Sequence, residues 1–299
     1  MVTLNMPRYI FLDNWVFSLV RNPKLATGLI AFIRSNGLTV IITSLSMTEL
    51  YNPGWKEGGA SERGAAAAKF LARIPCVIVS PVRVWEMEIA ANLCPLSALP
   101  VELDLAELSE DLRAAALLGF LRRDSLYLQQ GKDIQAWSLE YEETKKRWPS
   151  SVANIIENAC HNDDLRRDKK GRFTDLSSTR EVFLLSLDLR LAERAAIDSI
   201  IADLVRRKKE GQVNRLTSIR LSSLCFWYSY VEIDKNATPK HGNSDIGDFH
   251  QISLLPYCSA FTTDGAMYNM LQRIHEQVVP AKCEVMTKRL LEERIRQYT

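Results

Sequence analysis

The chain has 299 residues, 46% hydrophobic and 25% charged, which is enough apolar surface for one large or two ordinary domains and too much for a disordered polymer. With only 13 Gly and 11 Pro, collagen-like and linker-rich compositions are excluded. Thirty-eight basic against 36 acidic residues leave a net charge of +2, so global charge does not mark a nucleic-acid binder; positive charge gathers instead at Lys145-Lys-Arg147, at Arg166, Arg167, Lys169, Lys170 and Arg172, and at Arg206-Arg-Lys-Lys209.

The first apolar run, Arg8-Tyr-Ile-Phe-Leu12, reads as a strand that stops at Asp13 and is followed by a helical segment from Trp15 to Val20. That run is cut too early for a signal peptide, and no apolar stretch reaches the roughly 18 residues of a membrane span. A cytoplasmic location and no membrane partner are therefore expected. Leu25 to Arg34 predicts a helix closed by Asn36-Gly37, and the β-branched Leu38 to Thr43 a buried strand. A short helix over Ser44 to Tyr51, an alanine-rich helix from Ala60 to Ile74 and a strand at Cys76 to Val79 complete an alternating βα pattern, which favours a mainly parallel sheet.

From about 82 to 235 the periodicity turns helical, over Leu105 to Gln130, Ile134 to Arg147 and Asp175 to Glu210. In the last of these Val182, Leu185, Leu189, Ala192, Ala196, Ile200 and Leu204 form the expected apolar face. After the turn-like stretch from Pro239 to Ser244 the α/β pattern resumes. It gives a helix from Asp245 to Leu255, a strand from Cys258 to Thr263 ending at Asp264, a helix over Ala266 to Val278, a strand at Cys283 to Met286 and a terminal helix from Lys288 to Tyr298. The six cysteines are scattered without a C-x-x-C pair, which argues against a zinc knuckle or a disulfide framework and predicts mostly buried thiols.

Acids stand at the ends of these elements: Asp13, Glu49, Asp245 and Asp248, and Asp264. In an open α/β sheet ligands bind outside the carboxyl ends of the strands, so Asp13 and Asp264 can meet if their strands are neighbours. Gathered carboxylates repel one another unless a hard cation neutralises them, and Mg²⁺ or Mn²⁺ suits oxygen ligands completed by water or phosphate. Such an ion acidifies a bound water and offsets charge on a leaving oxygen, which makes a phosphodiester the natural substrate. Each acid also has a plainer use. Asp13 can cap a helix, Ser46-Met-Thr-Glu49 fits the S-x-x-E capping box, one of Asp245 and Asp248 can cap, and Asp264-Gly265 can form a turn. His250 reads as a packed side chain more readily than a catalytic one, His241 sits in a polar loop, and Phe226-Trp-Tyr-Ser-Tyr230 reads as core before it reads as a base-stacking platform.

In order along the chain, Tyr9-Ile-Phe-Leu-Asp13, Thr43-Ser-Leu-Ser-Met-Thr-Glu49, Asp245-Ile-Gly-Asp-Phe-His250 and Phe261-Thr-Thr-Asp264 resemble the motifs of the PIN-like nucleases, and Cys283-Glu-Val-Met-Thr287 is similar to that family's last strand. The resemblance implies a PIN-like α/β/α sandwich with a mainly parallel central sheet, built from residues 1–85 and 240–299 and interrupted by an all-helical insertion at 86–239. It implies Asp13, Glu49, Asp245, Asp248 and Asp264 as metal-organising acids for Mg²⁺ or Mn²⁺, with Asp248 the closer ligand of its pair and Thr262 a supporting hydroxyl. Trp15 stands where the family commonly has Asn, with Asn14 adjacent. The implied activity is metal-dependent endoribonuclease cleavage, toxin-like and restrained by an antitoxin or other protein partner. The alternatives are a DNA or flap nuclease using the same acids and a silent nucleic-acid-binding or scaffolding module. The long amphipathic helices also suit a homodimer.

Overall fold

Strand alternation divides the apolar side chains of this chain between two cores. In a computed structural model that describes residues 8–43, 45–47, 49–50, 62–91, 94–122, 128–169, 172–195, 217–232, 245–278 and 283–298, the apolar runs form a six-stranded sheet between two helical layers. The strands are β1 (Arg8–Phe11), β2 (Leu38–Thr43), β3 (Cys76–Val79), β4 (Leu103–Asp104), β7 (Cys258–Thr262) and β8 (Glu284–Met286). A separate two-stranded hairpin pairs β5 (Arg166–Arg167) with β6 (Phe173–Thr174). The sheet order is β4-β3-β2-β1-β7-β8, with every neighbouring pair parallel except β3 and β4.

One sheet face carries Ile10, Leu12, Val40, Ile42, Ile78, Ala260 and Met286. It is covered by α1 (Val16–Leu19), α2 (Pro23–Ser35), α3 (Glu62–Ala72), α5 (Glu110–Arg122) and α11 (Lys288–Arg296), α4 being Pro81–Ala90 on the opposite side. The alternate residues Phe11, Ile41, Val77, Val79, Phe261 and Val285 point to that opposite face, and Phe11 and Phe261 stack with centroids 4.7 Å apart. There α4 is joined by α6 (Leu128–His161), α7 (Leu176–Ala195), α8 (Ser218–Phe226), α9 (Asp245–Ile252) and α10 (Gly265–Val278). Asn22 caps α2 by accepting the Lys24 and Leu25 N–H groups, and Gly37 closes it with a left-handed φ of 58°.

Between residues 86 and 239 helices form within each expected span, the first starting at Glu110 rather than Leu105, but the span is not wholly helical: β4 adds an antiparallel edge to the main sheet and β5–β6 makes a hairpin. Helices of this span also feed both cores, Ala116 and Leu117 one, Val152, Phe183 and Leu221 the other. In α7 the buried face is Phe183, Leu184 and Leu187, whereas Val182 is 55% exposed. The expected Val182–Leu185 stripe is rotated outward because the large Phe183 ring packs on Phe226 and Trp227, and Asp188 turns inward to meet Arg220 at 2.7 Å. The stretch 196–210 lies outside the described residues, as do Arg206 to Lys209.

Two buried polar side chains fasten this layering. Arg113 spends all five guanidinium donors on carbonyls, those of Leu105, Ala72, Ile74, Ala106 and Leu108, at 2.6–3.1 Å. Glu88 of α4 is fully buried and accepts from the Ser218 N–H at 2.9 Å and hydroxyl at 2.8 Å, from Ile219 N–H, and from the Tyr257 hydroxyl. It thereby caps α8 from another element. Four of the six cysteines are buried, all are free thiols, and no helix of the described residues is long and apolar enough to cross a membrane.

Candidate functional site

The site begins where the sheet changes direction. From β1 the chain steps to β2 and β3 on one side, then returns at β7 to pair with the other side of β1 and continues to β8. The crevice at the carboxyl ends of β1 and β7 is therefore the topological switch point of the sheet, the place where such folds bind ligands. The register Phe11↔Phe261 brings Asp13 and Asp264 out at neighbouring strand ends.

A single hydroxyl ties these ends together. Thr262 is fully buried, and its Oγ1 accepts the Asp13 N–H at 2.7 Å while donating to the Phe11 carbonyl at 3.2 Å. Thr262 therefore positions the Asp13 backbone rather than facing solvent. Asp13 is half-buried, and its Oδ1 accepts the Asn14 N–H at 2.6 Å. Asp264 is exposed at the start of α10, where Oδ1 accepts the Met267 N–H at 2.8 Å. Asp264 thus caps α10, a use beyond the turn that its pairing with Gly265 offered, and the same bond fixes the orientation of its carboxylate.

Glu49 stands half-buried in the helical stretch after β2, of which residues 45–47 and 49–50 are described. The cap of that turn is Thr43, whose Oγ1 takes the Ser46 N–H at 2.9 Å and lies 2.9 Å from the Ser46 hydroxyl. Ser46 lies inside the turn, so the Ser46–Glu49 capping box does not mark its start. Asp245 opens α9, but its side chain lies outside the described residues. Asp248, one turn later and half-buried, lines a cleft of about 390 Å³ together with Asp264.

The structure thus brings Asp248 and Asp264 into one cleft and places Asp13 at the adjoining strand end. Among the described residues, no group of three His, Cys, Asp or Glu side chains is arranged to hold a metal ion. A Mg²⁺ site takes one or two protein carboxylates and completes its shell with waters and substrate phosphate, and Asp248 and Asp264 are the two carboxylates that line this cleft.

Several cleft residues were not marked by the sequence. Tyr228, Ser229 and Tyr230 come from a π-helical turn at Trp227–Val231, and Met267, Asn269, Met270 and Arg273 from one face of α10. The Phe226–Tyr230 run was the available signal. Phe226, Trp227 and Tyr230 are core, as expected, but the extra residue of the π turn leaves Tyr228 half-exposed on the cleft. His250 packs edge-on against Trp85 at 5.4 Å, and burial lowers its pKa to about 4, so it is neutral at pH 7. His241 lies outside the described residues. No protein-family model, no curated protein and no solved structure matches this chain.

Proposed function

We propose that this chain is a metal-dependent nuclease of PIN-like design that hydrolyses RNA phosphodiester bonds at the crevice between β1 and β7. The observation that carries the reading is the coincidence of the sheet's switch point with the ordered acids of the sequence. Asp13 and Asp264 leave the two strands that flank the switch, and Asp248 shares the cleft with Asp264. Asp248 and Asp264 line the cleft and are the residues to hold Mg²⁺ or Mn²⁺; Asp13, Asp245 and Glu49 join them as metal-organising acids only by the resemblance of their motifs. When bound, such an ion supplies an acidified water and a counter-charge for the phosphoryl oxygens.

The chain's own residues do the positioning. Thr262 holds the Asp13 backbone to β7, the Met267 N–H orients the Asp264 carboxylate, and α9 carries Asp248 against the same wall. A rigid first arrangement of this kind lowers the entropic part of the barrier before substrate arrives.

The test is cleavage of labelled single-stranded RNA and matched DNA in Mg²⁺, Mn²⁺ or EDTA by wild type, Asp13→Asn and Asp264→Asn. Metal-dependent cutting of RNA that both substitutions abolish is the expected result. Cutting confined to DNA would move the assignment to a DNA or flap nuclease. No cutting, with binding indifferent to EDTA and to both substitutions, would replace the enzyme with a binding module.

A further inference from the structure

We propose that Tyr228, Arg180 and the basic β5–β6 hairpin form a binding track that holds a single nucleic-acid strand as it leaves the acid cleft. The inference rests on the nuclease reading for the cleft itself, and on separate residues for the track.

An acid-lined cleft repels the phosphates of its own substrate, and a net charge of +2 supplies little long-range attraction. Binding must then come from cations set beside the acids. Arg273 lies on the cleft wall, exposed. On the opposite wall Arg180 holds Tyr228, its Nη2 donating to the Tyr228 hydroxyl at 3.0 Å and its guanidinium carbon lying over one side of the ring, 5.4 Å from the centroid. The turn carrying Tyr228 is fastened across the cleft, the Ser229 hydroxyl lying 3.2 Å from Met270 Sδ of α10. An aromatic ring held in this way, half-exposed and next to a reaction site, offers a face to an unpaired base.

Arg180 connects that ring to the hairpin. It lies one turn into α7, about 6 Å along the helix axis from Leu176. Immediately before α7 stand Thr174 of β6 and Asp175, which starts the helix with φ of 54° and accepts the Ser178 and Thr179 N–H groups at 3.0 Å. The hairpin sequence 166–172 carries five basic residues, Arg166, Arg167, Lys169, Lys170 and Arg172, against one acid, Asp168. Arg166, Arg167, Lys169 and Arg172 are exposed, while Phe173 packs on the body's core and gives the hairpin a fixed root. Asp168 engages Arg172 at 2.8 Å, and the Arg167 guanidinium sits 4.9 Å from the Phe173 ring centroid, so two of the described arginines are held in place on the hairpin. The order cleft, Tyr228, Arg180, hairpin is that of a strand with one base on an aromatic ring and its following phosphates on arginines and lysines. A duplex fits poorly, because its bases are stacked and paired and cannot be offered singly to Tyr228.

The experiment is fluorescence anisotropy of labelled 12-nucleotide single-stranded RNA and DNA, and of the matching duplexes, with the full chain in EDTA over a salt series. Tyr228→Ala is expected to weaken single-strand binding roughly tenfold and Tyr228→Trp to restore it. Arg166→Gln with Arg167→Gln is expected to lower the slope of log K against log salt by about 1.4, the share of two single-strand phosphate contacts. The two arginines are exposed, so their loss does not threaten folding. Tightest binding to duplex, or single-strand affinity and salt slope unchanged in both variants, would overturn the track. Cleavage is scored separately in Mg²⁺. A chain that binds as expected but never cuts leaves the track standing and removes the nuclease reading, and one that cuts with neither variant affecting binding does the reverse.

Discussion

Replacing Thr262 by Val tests the link between the sheet and the site. The two side chains are nearly isosteric and both β-branched, so strand propensity and packing are conserved while the hydroxyl is lost. Thr262 is fully buried, and its hydroxyl satisfies the Asp13 N–H at 2.7 Å and a lone pair of the Phe11 carbonyl at 3.2 Å. A buried donor left without an acceptor costs about 1–3 kcal/mol, and the carbonyl, with two lone pairs, loses less, so a total near 2 kcal/mol follows. That is a sizeable part of a stability of about 5–15 kcal/mol, and corresponds to a fall in Tm of about 3 °C for a chain of this length. Urea unfolding monitored by tryptophan fluorescence and calorimetry measures it. The freed Asp13 N–H also releases the carboxylate from its place, so nuclease activity should fall further than stability alone explains. Thr262→Ser keeps the hydroxyl, gives up about one methyl group's burial, near 1 kcal/mol, and should keep the activity. A Val variant within about 0.5 kcal/mol of wild type, the range of an uninvolved surface position, would refute the bridge.

Two further outcomes follow from the buried polar side chains. Arg113→Lys can satisfy at most three of the five carbonyls that the guanidinium serves and should destabilise by about 3 kcal/mol in urea unfolding; a loss under about 1 kcal/mol would show that the carbonyls find other donors. Burial raises the Glu88 pKa above its ordinary value, against the opposing hydrogen bonds of Ser218, Tyr257 and Ile219. The folded state therefore holds this proton more tightly than the unfolded state does. The Glu88 contribution to stability is full below the unfolded value of 4.5 and is lost as pH rises through the folded value. Glu88→Gln should gain stability relative to wild type as pH rises from 4.5, and a difference constant with pH would refute that sign.

The parts of the fold legible in the sequence were those whose signal is local. β1, β2, β3, β7 and β8 are short apolar runs ended by Asp13, Ser44, Ser80, Thr263 and Thr287, and α2 carries its own Asn22 cap and Gly37 stop. Parallel pairing was implied by the βα alternation. What could not be read locally is what depends on tertiary partners. The two residues of β4 have too little pattern to announce a strand, and their place at the sheet edge is set by pairing with Val77 and Ile78. The inward face of α7 is chosen by Phe183 and by the Asp188–Arg220 pair, neither of which periodicity alone ranks above Val182 and Leu185. For the candidate site, the acids Asp13, Asp248 and Asp264 were visible in one dimension as carboxylates at element ends, whereas Thr262 was offered only by the family resemblance. The run containing Tyr228 was visible as core or stacking platform but not its side toward the cleft, and Arg273 was not visible at all, because a π turn and a helix face meet only after folding.

These contacts make the cleft depend on the middle of the chain as much as on the strand ends. One wall is the segment from Ser218 to Val231, and its first turn is capped by Glu88 of α4, which also binds Tyr257, the residue just before β7. The other wall is α10, which follows β7 after two intervening residues, the second of them the Asp264 cap. Both walls are thus referenced to the same strand, one through Tyr257 at its start and one through Asp264 at its end, while Thr262 locks that strand to β1. Hydrogen bonds to buried partners transmit displacement because the interior is close-packed and cannot absorb it gradually. A change at Glu88, remote from the acids in sequence, is therefore expected to alter the width between Tyr228 and Arg273, where the proposed strand leaves the cleft.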